Sequence, residues 1–389
     1  MGGPRGPVQR ATGGTVGAGP GYRSLMRTRR WSPLERALRA LLAAGALLIA
    51  GGPELAHAQA RAADSTFVGP PRPPLFDAAR LDRMLAQAES IPGLASLLVR
   101  RHDSLVVERY WRGMRPDRAV NVKSVSKTLL SPMVGIALRD GLLDGLDQPL
   151  AELLPDYYER LRARDEWDPR KDRITLRHLL TMRTGLESTS FGNYGAWVSS
   201  ADWAWDQLRR PMICDPGDCH AYSTGSTHLL SVLLTRASGR SLRRYLLDEL
   251  LGPMGIPLGE WDRDPQGRYL GGNNVPLRPR DLLELGQLFA DRGRWEDRQL
   301  VPAEWIEEAW APRGRSPWNG QGFGYLWWTD TWGGETAHFA WGYGGQYMAI
   351  VPRLGLVFVA TSSLDGRTRG SSRRLRRFFD AYLVPAFRP

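Results

Sequence analysis

Apolar residues recur at helical spacing in "DAARLDRMLAQAES" from Asp77, which predicts an amphipathic helix. "ASLLVRRHDSLVVERYWRG" then alternates and reads as two strands around a turn at His102–Asp103. Helical patterns fill the middle of the chain. The stretch carrying "NVKSVSKTLL" is one, and "ITLRHLLTM" is another. "STHLLSVLLTRASG" is stopped by Gly239, and Ser241 caps "LRRYLLDELLG", which ends at Gly252-Pro253. "PRDLLELGQLFADRG" and "PAEWIEEAW" follow. "GFGYLWWTD", "ETAHFAWG", "QYMAIVP" and "GLVFVATSS" read as consecutive strands, and "SRRLRRFFDAYLVPAF" closes the chain as a helix. Between Glu187 and Asp206 the pattern is aromatic, polar and poorly periodic, which predicts a loop over a cleft. Strands at both ends and helices between them predict an α+β fold: one antiparallel sheet built from the two terminal regions, flanked by helices, with a mainly helical insert.

The N-terminus changes the domain picture. "MRTRRW" from Met26 is basic, "ALLAAGALLIAGG" is apolar and "AHAQA" supplies small residues. These are the three regions of a secretory signal peptide, with cleavage expected after Ala58 or Ala60 and Met26 a candidate true start. The apolar run is short for a membrane span; an uncleaved signal anchor is the alternative. Residues 1–58 are therefore set aside as a signal region and 59–74 as a linker ending in "VGPPRPP". Residues 75–389 form the functional domain. The protein is expected to be exported, periplasmic or secreted, with no membrane span once the signal is removed.

Removing residues 1–58, which carry eight arginines against Glu35 and Glu54, takes the 52 basic and 41 acidic residues to 44 and 39, a net of +5. The remaining arginines are interleaved with acids. No basic stripe with aromatic interleaving is present, which argues against nucleic-acid binding. Export gives meaning to the only two cysteines, Cys214 and Cys219 of "CDPGDC". Around a Pro-Gly turn in an oxidising compartment they suggest a disulfide. The competing reading is a metal site with Asp215, Asp218 and His220, for which spaced ligands elsewhere are too few. No cofactor is expected.

The chain has three lysines, Lys123, Lys127 and Lys171, against 49 arginines. Two of the three lie in "NVKSVSKTLL". Arginine stays protonated, whereas a buried lysine can lose its proton and act as a base. Ser124 and Lys127 are spaced i, i+3, which places them on one helix face. There a neutral amine can take the serine proton and leave a nucleophile. Tyr222-Ser223-Thr224 and "AWGYGGQ" from Ala340 are the other candidate pieces. A glycine-rich strand edge lets substrate approach the backbone and can offer an N–H to an oxyanion.

Taken in order, Ser124-x-x-Lys127, "DPGDCHAYSTGSTHLLSVLLTRASG" and "GYGGQYMAIVP" resemble the three motifs of the serine β-lactamase and penicillin-binding-protein superfamily. The resemblance is to its class C and esterase branch, which includes the 6-aminohexanoate-dimer hydrolases, and spans roughly residues 75–385. "GIALRDGLLDGLDQPLAELLPD", "ITLRHLLTMRTGL" and "GPMGI" support it. The resemblance implies that Ser124 is acylated, Lys127 is its base and Tyr222 passes a proton to the leaving group. It implies an oxyanion hole from the N–H groups of Ser124 and Tyr343, or Gly344 if the motif shifts by one. Thr224, Trp341, Gly342, Asn274 and Trp328 are the expected substrate-binding positions.

Three departures matter. Ala340-Trp341-Gly342 carries no lysine or histidine where the family holds a substrate carboxylate. Thr224 replaces the usual asparagine. Pro132 lies within the helix of Ser124, where a local kink is expected because it removes a hydrogen bond. The missing cation favours a small-molecule ester or short amide over a β-lactam or D,D-peptide. The intact Ser124, Lys127 and Tyr222 set argues against a non-catalytic relative. Lys123 is expected to be a surface or supporting charge, and His220, His228 and His338 structural.

Overall fold

The structure is a computed structural model that describes residues 76–165, 167–364 and 371–388. The signal region and linker expected over 1–74 lie outside the described residues. Helix α1 spans Ala78–Ser90, with Asp77 accepting the Arg80 amide as its N-cap. Strands β1 (Leu94–Arg101) and β2 (Ser104–Tyr110) follow around His102, whose positive φ of 50° makes the tight turn. The other strands of the main sheet come from the C-terminal third: β3 (Gly314–Arg315), β4 (Gly322–Phe323), β5 (Trp328–Trp332), β6 (Glu335–Gly342), β7 (Gln346–Val351) and β8 (Leu356–Ser362). They join β1 and β2 in one antiparallel sheet of order β2-β1-β8-β7-β6-β5-β4-β3. The two ends of the chain thus meet where Leu98 pairs with Val359. The expected α+β architecture is the one observed.

Both faces of the central strands are covered. Met348 and Val357 lie on the face packed by α4 (Pro279–Ala290), where a Cβ on Gly286 would come within 2.6 Å of Val357. Tyr347 and Phe358 point the other way, onto Phe379 at 5.1 and 4.9 Å between ring centroids. A sheet buried on both faces cannot alternate apolar with polar. This is why all of "QYMAIV" and "LVFVATS" is buried.

The helical insert centres on α2 (Lys127–Arg139), in which every residue from Lys127 to Ala137 is buried. It continues through Pro132 without interruption of its span. Helix α3 (Thr224–Ser238) lies against it and ends at Gly239, φ 65°. Helix α5 (Ala303–Trp310) packs on the other side through Trp305, whose ring occupies the space a side chain at 135 would need.

Two expectations are corrected. "GFGYLWWTD" is not one strand: Leu326, φ 66°, breaks it between β4 and β5. The segment 187–206 is not wholly irregular. It holds a short helix, Tyr194–Val198, and begins another, Trp203–Arg209, capped by Asp202. The indoles of Trp197 and Trp203 donate to the carbonyls of Trp203 and Val198 and bury with Leu270 as a small satellite core. Tertiary burial of two tryptophans fixes local structure that no periodicity signals.

Candidate active site

The first piece is a tight turn. Val120–Asn121 pairs with Pro276–Leu277, and a 3₁₀ turn at Lys123–Ser126 then leads into α2. Lys123, directly before Ser124, has a left-handed φ of 52°, a conformation costing about 1–2 kcal/mol for a residue with a Cβ. Side chains hold it there. Asn121 Oδ1 accepts the Lys123 amide at 3.0 Å, and Lys123 Nζ donates to Asn274 Oδ1 at 3.2 Å. Asn274 also accepts from Asn121 at 3.1 Å and donates to Asp262 at 2.7 Å. Ser126 is committed to the same turn, donating to the Lys123 carbonyl and accepting from the Val275 amide. Lys123 is thus a supporting charge beside Ser124 and not a surface one. Burial pulls its pKa below the usual lysine value, and the Asp262 charge opposes that. Both ends of the Asn274 amide are used inside the protein.

One helical turn on, Lys127 is 2% exposed. Its Nζ lies 2.7 Å from the Gly272 carbonyl, 3.1 Å from Thr224 Oγ1 and 3.3 Å from Ser124 Oγ. Burial drives its pKa down to about 7. No carboxylate is among these partners to hold the proton on. The amine sits 5.1 Å from the centre of the Tyr222 ring.

Tyr222 is buried. Burial raises its pKa above the usual tyrosine range, with the Ser124 hydrogen bond opposing. Its neighbours are rings: Trp328 stacks on it at 5.7 Å, and Phe191, Phe323 and Trp318 stand at 6.1, 6.3 and 6.4 Å. Trp327 turns the other way into the core, against Phe289. His220 is packed among Phe323, Trp328 and Trp318, and burial lowers its pKa to about 4. His338 stacks on Trp310, and His228 pairs with Asp264 at 3.0 Å in the interior.

The Tyr222–Thr224 segment is held by Ser188-Thr189-Ser190 running beside it. Ser188 Oγ donates to the Tyr222 carbonyl at 2.5 Å, and the Thr189 amide donates to Ser223 Oγ at 3.2 Å. Thr189 Oγ1 accepts the Gly225 amide at 2.8 Å, and Ser190 Oγ accepts the Thr224 amide at 2.9 Å. Buried Gln207 takes the Thr189 and Ser223 hydroxyl protons, and a Cβ on Gly225 would collide with its oxygen at 2.2 Å.

Upstream, Cys214 and Cys219 form a disulfide with Cα atoms 6.3 Å apart. The loop it closes is tied to the preceding turn by Gly217 N–H to Arg183 O and Ile213 N–H to Gly185 O. Asp215 pairs with Arg173 and Arg170.

The third piece is the end of β6. A Cβ on Gly342 would lie 2.4 Å from the Val122 carbonyl and 3.2 Å from Lys123 Cβ, so only glycine lets the strand edge approach the turn that holds Ser124. Tyr343 follows, 72% exposed, and Gly344 and Gly345 turn the chain back with φ of 82° and 97°. Trp341 donates to Ser372 Oγ at 3.0 Å and meets Trp328 edge-on at 6.0 Å.

Sequence reasoning missed Ser188, Thr189, Ser190, Gln207 and Gly272. Asn274 was the expected contact from its segment, but what reaches the site from it is the Gly272 carbonyl, through Lys127.

With that geometry in place, comparison with known proteins is informative. The Beta-lactamase family model matches residues 78–381. The 6-aminohexanoate-dimer hydrolase of Paenarthrobacter ureafaciens is 24% identical over 333 residues, 75% of this chain and 80% of that protein. The monacolin J acid methylbutanoyltransferase of Aspergillus terreus is 28% identical over 159 residues, 37% of this chain and 38% of that protein. A penicillin-binding protein homologue from Caulobacter crescentus superposes with a TM-score of 0.63 at 16% identity, covering 80% of this chain and 99% of that one. The last similarity is one of fold.

Proposed function

This chain belongs to the beta-lactamase family, and from that premise we propose that it is an exported serine hydrolase cleaving uncharged ester or short amide bonds through an acyl-enzyme on Ser124. The observation that carries this reading is the Lys127 amine. It is buried, lowered to about 7 and 3.3 Å from Ser124 Oγ.

The proposed cycle begins with neutral Lys127 accepting the Ser124 proton as Oγ attacks the substrate carbonyl. The oxyanion is received by the N–H groups of Ser124 and Tyr343, or Gly344 in the shifted alignment. Tyr222 gives its proton to the leaving oxygen or nitrogen and regains one from the Lys127 ammonium, which restores the neutral base. Water then repeats the sequence on the acyl-enzyme. Tyr222 serves here as a donor and not as the first base, because among the described residues its neighbours are rings, and the cation over its ring is Lys127 itself.

The substrate is read as uncharged because Ala340 and Trp341 offer no cation. Three aromatic side chains also stand exposed about the site: Phe191 at 62% and Trp318 at 52% beside Tyr222, and Tyr343 at 72% after Gly342. Exposed apolar surface of this kind marks a binding site. Gly342, Trp341, Trp328 and Thr224 line or support it in this reading, and Asn274 supports the turn. The same rim favours a second reading, transfer of the acyl group to an alcohol acceptor; a relative is named as an acyltransferase, the monacolin J acid methylbutanoyltransferase.

The deciding experiment is a panel of p-nitrophenyl esters, short linear amides and a chromogenic cephalosporin, with and without added alcohols, and intact-mass detection of the acyl-enzyme. Ester or amide turnover with an adduct on Ser124 is expected. Turnover of the cephalosporin alone would overturn the reading. Cell fractionation tests export, with the protein expected outside the cytoplasm.

A further inference from the structure

A neutral primary amine has two N–H bonds to donate and one lone pair. The Gly272 carbonyl can only accept, so it takes one N–H of Lys127 at 2.7 Å. One N–H and the lone pair remain for two hydroxyls, Thr224 at 3.1 Å and Ser124 at 3.3 Å. If Thr224 accepts, the lone pair faces the Ser124 proton and the base is set. If Thr224 donates, the lone pair is blocked and Ser124 keeps its proton. Once Lys127 has taken that proton, all three of its hydrogens must be donated. Thr224 can then accept one only by sending its own hydroxyl proton elsewhere.

The hydroxyl within reach is that of Ser190, with Oγ 2.9 Å from Thr224 Oγ1. Ser190 Oγ already accepts the Thr224 backbone N–H at 2.9 Å, which presents its oxygen to that residue. Its second lone pair is free to take the Thr224 hydroxyl proton. The Ser190 amide is held by Ser188 Oγ at 3.0 Å, and Ser188 in turn by the Tyr222 carbonyl. The acceptor is therefore fixed to the same segment as the proton donor Tyr222.

We propose that Ser190 is a positioning residue for the base. Through the Thr224 hydroxyl it sets the direction of the hydrogen bonds around the Lys127 amine, aiming the lone pair at Ser124 and accommodating the ammonium that forms. The need arises from Thr224 itself. An asparagine there would accept through an oxygen that carries no proton and would need no such partner. This inference rests on the reading of Lys127 as base.

The test is the rate of acylation against pH for Ser190→Ala and Ser190→Thr, each in the native and in the Thr224→Asn background, with thermal melts alongside. Losing one hydrogen bond to a charged network predicts a fall in kcat of roughly tenfold or more for Ser190→Ala, with KM little changed. The acidic limb should move to lower pH, because the ammonium has lost an acceptor. Ser190→Thr, which keeps the hydroxyl, should restore both. In the Thr224→Asn background, Ser190→Ala should cost much less than in the native one. A native rate and limb in Ser190→Ala, or an equal loss in both backgrounds, would overturn the proposal. Lys127→Met separates the two readings: an active Lys127→Met sinks the base assignment and this inference together. An inactive one beside an unaffected Ser190→Ala sinks this inference alone.

Discussion

Replacing Lys127 with arginine keeps a positive charge and removes the ability to give it up, so it isolates the property on which the chemistry depends. The native amine occupies a site 2% exposed, with three oxygen atoms between 2.7 and 3.3 Å. A pKa of about 7 means that about half of the molecules carry a neutral base at neutral pH, about a tenth at pH 6 and about nine-tenths at pH 8. Native kcat/KM should therefore rise through an acidic limb near pH 7. It should then stay flat, because burial holds the Tyr222 proton on beyond the ordinary tyrosine range. Arginine has no neutral form in reach and a head too broad for the space against Ser124. General-base assistance contributes about 10²–10⁴ in rate, or about 3–5 kcal/mol of barrier, so Lys127→Arg should lose at least a hundredfold at every pH and show no limb. The assay is ester turnover from pH 5 to 10, with thermal melts to confirm that both proteins are folded. A folded Lys127→Arg enzyme within tenfold of the native rate would refute the reasoning. So would a fall in rate below about pH 10 in the native enzyme, which would mean that Tyr222 loses its proton within the ordinary tyrosine range.

Three further outcomes follow from other contacts. Ser124→Ala should abolish turnover and fluorophosphonate labelling; a labelled mutant would place the nucleophile elsewhere, although Ser126 and Ser223 are both hydrogen-bonded inside the protein. Reducing the Cys214–Cys219 disulfide should cost about 2 kcal/mol by urea titration, since the loop it closes is short; two free thiols in exported protein would remove the argument. Between about pH 7 and 10, unfolded chains hold the Lys127 proton that the native state has released, so native stability gains as pH rises through that window. Against Lys127→Met, whose stability lacks that dependence, the gain should be about 1.4 kcal/mol per pH unit; an unchanged gap would mean that the native lysine stays charged.

The fold was legible where a pattern is local. Helical spacing in α1 and α3 and the apolar runs of β6, β7 and β8 depend on a few successive residues, and their spans agree closely with the expectation. Ser124 and Lys127 were legible for the same reason, being three apart on one helical turn. The partners that set the amine's chemistry were not. Thr224 and Gly272 lie 97 and 145 residues away, and Ser190 reaches the site only through Thr224. A three-residue hydroxyl run such as Ser188-Thr189-Ser190 carries no periodicity, and reads equally as a solvated loop until the second motif is laid beside it. Lys123 was read as surface or support, and the choice required seeing its left-handed backbone and the Asn121–Asn274–Asp262 chain behind it.

The missing cation of the third motif has a consequence beyond substrate charge. A lysine or histidine beside the tyrosine would favour its ionised form and let it compete for the role of base. Here Trp328 stacks on the Tyr222 ring, and Phe191, Phe323 and Trp318 complete the enclosure. Low polarity acts oppositely on the two groups: it raises the phenol and lowers the amine, because each loses its charged form. One apolar environment thus separates the two proton affinities by several powers of ten, which keeps the phenol protonated and lets about half of the amine stand neutral at pH 7. The amine is ready to accept and the phenol ready to donate. A substitution that restores a cation, such as Ala340→Lys, should lower both affinities, pulling the tyrosine down toward its ordinary range and the lysine below about 7. Its signature would be an alkaline limb that the native enzyme lacks, together with an acidic limb below pH 7. An unaltered pH profile in a folded Ala340→Lys protein would show that the missing cation at this position does not govern the pair.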